Sequence, residues 1–467
     1  VLLGAYRAIG EAIREEHAIT PAAEWLVDNF HVVEEQIREI RDDLPRAYYR
    51  QLPKLAEGPL AGYPRVFGLV WAFVAHTDSR FDPQMLCRFV RAYQRVQPLT
   101  IGELWAVAIT LRIVLVENIR RASERIVHSR AARQEADALV ARLLGVGKEG
   151  ERAKTALRRF DERSLSREFV VQLVQRLRDQ DPTVTPALQW LDERLAAQGT
   201  NSDELVREEH QRQAAMNVTV RNVITSMRLM SAVDWAELFE SVSLVDAALR
   251  EASDFSDLDF PTRDRYRHAI EELARGSKHS ELEVARRAIG ATERAACEPT
   301  HDGSVRREQD PGYYLVSSGR RVFERELGFR VPIRHRPIRA VVAAGLPGYL
   351  GTIAALSAGM LAIPLVAMTR AGVDGTTLFL LGLLAIVPAS EAALALVNRI
   401  VTTWFGPVAL PGLELREGVP RHLRTMVVVP TLLTTRAEIE EQIERLEVHF
   451  LASPDDDLRL ALLSDWT

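Results

Sequence analysis

The run over residues 340–368, AVVAAGLPGYLGTIAALSAGMLAIPLVAM, holds no charged residue. The hydrocarbon core of a bilayer, about 30 Å thick, is crossed by roughly 20 apolar residues as helix. The run is longer than that, so it spans with tilt or with a bend at Pro347 or Pro364. The competing reading is a buried core helix of a large soluble protein. A second run argues against it. Residues 376–397, TTLFLLGLLAIVPASEAALALV, follow a link whose only charges are Arg370 and Asp374. Two spans and a tight turn predict a helical hairpin in a bilayer.

The flanks orient that hairpin. Arg330, Arg334, Arg336 and Arg339 stand before the first span, Arg399 closes the second, and Arg370 is alone in the turn. Basic residues are retained on the cytoplasmic side, which places residues 1–330 and 401–467 together in the cytoplasm. Glu391 falls within the second span. A carboxylate there faces protein or a water-filled cavity, or it stands near the interface if the span ends early; both readings stay open. The TTWF stretch at 402–405 suits an interface, where a Trp ring is at home.

The rest of the chain is different in character. The whole chain carries a net charge of -5, and outside the hairpin Arg and Glu are abundant throughout. That argues against general nucleic-acid binding, which wants a basic face. Cys87 and Cys297 lack companions at metal-ligand spacing, so no metal site is expected and the two read as ordinary thiols of a reducing compartment. The chain opens on Val1 and stops at Thr467, and it reads as a piece of something longer.

Residues 1–330 read as a helical region. Thr20 caps a helix that Pro21 opens. Trp25, Leu26, Phe30, Val33, Ile37, Ile40 and Leu44 continue it at helical spacing, and Pro45 ends it. His31 reads as a surface or core histidine. Residues 66–75 are apolar but too short to span a bilayer, which assigns them to a protein core. Helices open at Pro83 and near Thr100, the latter turning basic and solvated from Arg120 to Arg133. Turns are expected at 145–150 and around Pro182 and Pro186. Residues 217–249 read as helix. Asp254, Asp257, Asp259 and Asp264 stand beside Arg263, Arg265, Arg267 and His268. A helix start with a solvated basic face explains them; a metal or phosphate site, or a carboxylate-based hydrolase centred on 254–264, is the rival. Residues 280–296 form another helix, and Gly312–Leu315 reads as a short strand. No nucleophile, base and orienter gather anywhere before residue 330.

After the hairpin, residues 425–429 form an apolar β-branched run ending at Pro430, a buried parallel strand by composition. Thr435 and Glu438 match a capping box, and Ile439, Ile443, Leu446 and Phe450 recur along the helix that follows. Asp455, Asp456 and Asp457 make a turn before a second strand over 459–464. This is a βαβ order, in which ligands sit at the carboxyl ends of the strands. Pro430, Thr431 and Asp465 lie there. Asp465 either accepts hydrogen bonds from a base or ribose, or caps the next element.

The chain resembles the cyclic β-1,2-glucan synthase family along nearly its whole length. The resemblance rests on WLVDNFHVVEEQIREIRDDLP (25–45), YYRQLPKLAEGPLAGYPRVFGLVWAFVAHTDSRFD (48–82), RAYQRVQPLTIGELWAVAITLRIVLVENIRR (91–121), DFPTRDRYRH (259–268), and the segment from VVVPTLL to LLSDWT (427–467). It implies a bacterial inner-membrane, multi-pass glycosyltransferase that transfers glucose from UDP-glucose into a growing β-1,2-glucan and closes the chain into a ring. The implied layout is a helical scaffold (1–330), a transmembrane hairpin (340–400), a linker (401–422), and the start of a family-2-like nucleotide-sugar domain (423–467). The fold class is therefore mainly α, followed by the first βαβ unit of an α/β domain. The resemblance also implies Pro430, Thr431 and Asp465 as UDP-glucose contacts, and Mg²⁺ or Mn²⁺ at the diphosphate. It implies downstream transferase and phosphorylase-like domains as partners. The catalytic Asp and the metal ligands of such domains are expected beyond Thr467, so this portion alone is expected to be inactive. A membrane-anchored helical interaction protein without catalysis is the alternative.

Overall fold

The protein is described here from a computed structural model, covering residues 1–44, 48–144, 157–158, 160, 165–178, 185–297, 307–333, 336–405, 410–415, 418–432, 435–452 and 454–464. Pro45, the turn at 145–150, Pro182 and Asp465 lie outside the described residues. The chain is mainly helical and divides into two compact units, Val1–Ala247 and Ala248–Thr467.

The first unit opens with α1 (Leu2–Arg14), α2 (Pro21–Asp28) and α3 (Phe30–Asp43). Thr20 caps α2 as its sequence predicts, accepting from the Ala23 amide at 3.3 Å. The single helix expected through Leu44 is broken at Asn29, whose Nδ2 donates to the Trp25 carbonyl at 2.8 Å. An Asn side chain that takes a backbone acceptor competes with the helical ladder, which the apolar period alone does not reveal. His31 is exposed on α3.

Next come α4 (Arg65–His76) and α5 (Pro83–Gln94), then α6, which runs from Ile101 to Leu144. The apolar α4 packs on α6 and buries Val66, Leu69, Val70, Phe73 and Val74, so it is a core helix as its length requires. Asp82 caps α5, accepting from Met85 N at 2.9 Å. At the start of α6 the Thr100 hydroxyl accepts from Glu103 N at 3.2 Å, while Glu103 Oε2 accepts from Thr100 N at 2.9 Å, a capping box. The far half of α6 is not simply solvated. Ala136, Leu139 and Val140 are buried with Leu173 and Leu177 of α7 (Arg167–Arg178), Leu191 and Leu195 of α8 (Thr185–Ala197), and Leu205 of α9 (Ser202–Ala232). α10 (Trp235–Val242) follows, capped by Asp234. The helical reading of 217–249 holds, with breaks inside it at 233–234 and at Ser243.

α11 (Leu244–Ala252) leads into the second unit, which contains α12 (Phe260–Gly276), α13 (Glu281–Ala296), α14 (Pro311–Val316) and α15 (Arg320–Glu326). The strand expected at Gly312–Leu315 is helix. Asp310 accepts from Gly312 N at 2.6 Å and Pro311 occupies the first helical position, start signals that outweigh the β-propensity of two tyrosines.

Two long helices follow, α16 (Arg336–Arg370) and α17 (Gly375–Phe405). Both are long and apolar enough to cross a membrane, with mean hydropathy 2.0 and 2.1. α16 bends at Gly345 (φ 53°), two residues before Pro347. The helices pack antiparallel: Tyr349 Oη donates to Asn398 Oδ1 at 2.6 Å, and Gly382 lies against Leu365. Gly372 (φ 84°) takes the left-handed turn position, and Asp374 caps α17 through Thr377 N at 3.0 Å. Glu391 is exposed on α17. The chain then reaches β1 (Thr425–Pro430), α18 (Arg436–Ala452) and β2 (Leu458–Leu463).

Candidate functional site at the strand ends

β1 and β2 pair in parallel, in register from Thr425 opposite Leu458 to Pro430 opposite Leu463. The Thr431 amide donates to the Leu463 carbonyl at 2.9 Å, extending the pairing one step past the strand. Pro430 and Thr431 therefore sit at the carboxyl edge, and β2 runs to that edge at Leu463. α18 begins just after it, with the predicted capping box formed: Glu438 N donates to Thr435 Oγ1 at 3.3 Å and Thr435 N to Glu438 Oε2 at 3.2 Å. A helix N-terminus carries partial positive charge, so this edge favours an anionic group.

The opposite edge is held by the acidic turn. Asp455 accepts from Val419 N at 2.6 Å and Asp457 N at 2.9 Å, and these backbone hydrogen bonds hold its pKa below the usual range. Asp457 accepts from Arg424 Nε at 2.9 Å. These carboxylates brace the loop and leave the carboxyl edge to the other residues. The strands are not buried, contrary to their composition. Met426 and Leu463 are 64% and 61% exposed, and α18 buries none of its residues. One helix covers at most one face of a sheet, so β-branched runs coded for burial lie open on the described surface.

The acidic and basic cluster of 254–268 resolves into structure. Asp259 caps α12, accepting from Thr262 N at 2.9 Å, while Asp254 and Asp257 are exposed in a short 3₁₀ turn. Asp264 faces His268 at 3.2 Å. Among the described residues no group of His, Cys, Asp or Glu could hold a metal. The solvated basic face expected at 265–267 is wrong for Arg267, which is fully buried, its guanidinium 5.3 Å from the Phe260 ring and 5.8 Å from Phe255. Cation–π contact offsets part of its desolvation. Tyr266 donates to Asp310 Oδ1 at 2.9 Å; burial, then the adjacent Asp310 charge, pushes its pKa well above 10.

Sequence reasoning missed what this cluster does. The segment after α17 straps across it. Asp259 N donates to Gly412 O at 2.9 Å, Gly412 N to Thr262 Oγ1 at 2.9 Å, and Glu414 N to Asp257 O at 2.8 Å. Arg263, 5% exposed, donates to Glu414 Oε2 at 2.9 Å and to the Leu258 carbonyl. A Cβ on Gly412 would lie 2.5 Å from Asp259 Oδ2, so any larger residue there must displace the carboxylate that caps α12. The PG pair at 411–412 and the acid at 414 were the available signals, but their partner lies some 150 residues earlier and no local pattern links them. Of the tyrosines, Tyr48 donates to the Gly102 carbonyl at 2.5 Å, Tyr49 lies 2.6 Å from Thr110 Oγ1, and Tyr314 donates to Ala291 O at 3.3 Å.

Fold and edge together define a mainly helical protein with two helices fit to cross a membrane and a short parallel βαβ unit. Over 470 residues the chain is 39% identical to cyclic beta-(1,2)-glucan synthase NdvB of Rhizobium meliloti (strain 1021), a match covering 100% of the chain and 16% of that protein. The chain thus spans about a sixth of the length of that curated relative, and its likeness to the cyclic β-1,2-glucan synthase family is sustained along all of it. No family model matches it.

Proposed function

We propose that this chain is the scaffold and membrane anchor of a glucosyltransferase that builds β-1,2-glucan from UDP-glucose and closes it into a ring. The observation that carries the reading is the 39% identity sustained over the whole chain. In this reading residues 1–330 are a cytoplasmic helical scaffold, 340–400 a hairpin through the bacterial inner membrane, 401–422 a linker, and 423–467 the start of the nucleotide-sugar domain. Pro430 and Thr431 shape the turn beneath the uridine, and Asp465, two positions after Leu463 in the sequence, holds the uracil or ribose. The parallel register that brings Thr431 beside Leu463 supports this edge as the place.

Transfer also needs a divalent cation, Mg²⁺ or Mn²⁺, to offset diphosphate charge, and an aspartate to deprotonate the attacking hydroxyl. Downstream transferase and phosphorylase-like domains would supply both functions and the control of product length. The hydrolase reading of 254–264 finds no support, since Asp259 is a cap and the neighbouring acids face outward.

The test is UDP-glucose titration into the full-length enzyme, wild type against Asp465→Ala. Loss of a charged hydrogen-bond acceptor costs about 1.5–3 kcal/mol, roughly ten- to a hundred-fold in affinity. Unchanged affinity in a folded variant removes Asp465 from the site. Failure of the wild-type membranes to make any β-1,2-linked product from UDP-glucose removes the function itself.

A further inference from the structure

Within the first unit a cavity of about 620 Å³ opens between the turn after α1, one face of α6, and the facing sides of α7 and α9. Ligand pockets run from roughly 300 to 1,000 Å³. Five arginines line this one, Arg125, Arg130, Arg133, Arg176 and Arg212, against the three carboxylates Asp137, Glu168 and Glu209. With its histidines neutral the wall carries an excess of two positive charges.

The existing contacts do not use up that excess. Asp137 Oδ1 accepts from both Arg176 Nε and Gln172 Nε2 at 2.9 Å. Arg130 is tied to the Ala8 carbonyl and stands 3.8 Å from Glu15 Oε2, an ion pair that takes up one of the two excess charges. Arg125 and Arg212 have no ion-pair partner among the described residues. Deeper in the wall, Glu209 is 3% exposed and its Oε1 accepts from Gln213 at 2.9 Å. Arg133 Nη2 stands 3.9 Å from that same oxygen, beyond hydrogen-bond reach. Arg133 Nη2 and Glu209 Oε2 are both buried without a hydrogen-bond partner.

Buried polar atoms are ordinarily satisfied, and a pair left unmet beside a cavity calls for an explanation. One unmet atom needs an acceptor and the other a donor. Arg133 and Glu209 both line the cavity, and two hydroxyls of one polyol supply both partners once the two side chains turn these buried atoms toward it. The unpaired arginines fit an anionic oxygen cluster, and a phosphomonoester carries about −1.5 to −2 charge at pH 7. Among the described residues no Phe, Tyr or Trp lines the cavity, so the large aromatic faces on which a nucleobase stacks best are missing from it.

We infer that this cavity is a binding site for a small phosphorylated polyol, of the size of a hexose phosphate and without a base. It is separate from the strand edge and does not rest on the function proposed there.

Calorimetric titration of glucose 6-phosphate into the full 467-residue chain in detergent tests it. One site is expected, with glucose and inorganic phosphate each at least tenfold weaker. Arg212→Ala and Arg125→Ala alter exposed side chains, so folding is retained, and each is expected to weaken glucose 6-phosphate at least fivefold. Glu209→Gln is expected to weaken glucose 6-phosphate while leaving inorganic phosphate unchanged. Absence of binding overturns the site. Inorganic phosphate binding as tightly as glucose 6-phosphate overturns the polyol, and unchanged glucose 6-phosphate affinity in both arginine variants overturns the anion. Displacement by UDP-glucose at equal affinity overturns the exclusion of a nucleotide.

Discussion

Glu103 shows how much one residue can hold. It is fully buried, accepts from Arg65 Nε at 2.8 Å and from Thr100 N at 2.9 Å, and Arg65 donates on to the Pro98 carbonyl at 3.0 Å. The pair thus fixes the start of α6 to α4 and the loop between 94 and 100. Removing one member of a buried pair leaves the other charged and unmet, so Glu103→Ala is expected to cost about 3–5 kcal/mol. Chemical denaturation checks this, and a loss below ~1 kcal/mol would show that Arg65 finds other partners. Glu324 behaves differently because its effect depends on pH. Burial alone would raise its pKa, but hydrogen bonds from Arg339 and Arg320 outweigh that and hold it below 4.5. A depressed carboxylate contributes stability that is complete above its unfolded pKa and is lost as pH falls through the folded value. Melting temperatures of wild type and Glu324→Gln are therefore expected to differ most near pH 7 and to converge as pH drops below 4.5. A gap that stays constant to pH 3 would assign Glu324 a packing role alone.

Most elements were legible where local chemistry decides them. Thr20 and Thr435 cap the helices their sequence positions announce, the helices expected at Pro83 and near Thr100 start there, and the two apolar runs became α16 and α17. Errors arose where a distant partner or a side-chain acceptor overrides local pattern. Asn29 breaks a helix by bonding Trp25 O, Asp310 turns a tyrosine pair into helix, and Arg267 is buried by two rings rather than solvated. The candidate site divides the same way: the strand edge at Pro430 and Thr431 was visible from the βαβ order, whereas the arginine cavity depends on contacts between 35 and 122 residues apart and the strap at Gly412 on contacts about 150 residues apart. The hairpin register is a property of elements and can be tested as one. Tyr349 meets Asn398 and Leu365 meets Gly382, so facing positions share one constant sum. With Cys87 and Cys297 changed to Ser, a short bifunctional thiol reagent is expected to join Leu365→Cys to Gly382→Cys. The pair Leu365→Cys and Val397→Cys is separated by 15 residues of helix from that contact, roughly 22 Å at 1.5 Å per residue, and should stay unlinked. Equal linking of both pairs would mean the helices slide or do not pack this way.

At the scale of the whole molecule the question is which side of a membrane each part occupies. The arginines bias that choice, and the second unit gives one of them a structural job as well. Arg339, at the start of the first apolar helix, donates to Glu324 through Nη1 at 2.6 Å and Nη2 at 2.8 Å. Such a bidentate pair ties the entry of α16 to α15, so the helix leaves a folded body at a fixed point. Arg399 lies near the other end of the hairpin, and the turn between the helices carries Arg370 and Asp374, of opposite sign. A net basic bias on one side retains that side in the cytoplasm. Reporter domains fused after Gly328, or inserted between residues 371 and 375, read this directly in the intact protein. The Gly328 fusion is expected to score cytoplasmic and the turn insertion to score on the far side. If both score cytoplasmic, α16 and α17 do not cross, and their exposed apolar faces must be covered by protein instead. If the scores are reversed, the hairpin crosses in the opposite sense and the nucleotide-sugar edge at Thr431 faces away from the cytoplasmic supply of UDP-glucose, which the proposed function cannot survive.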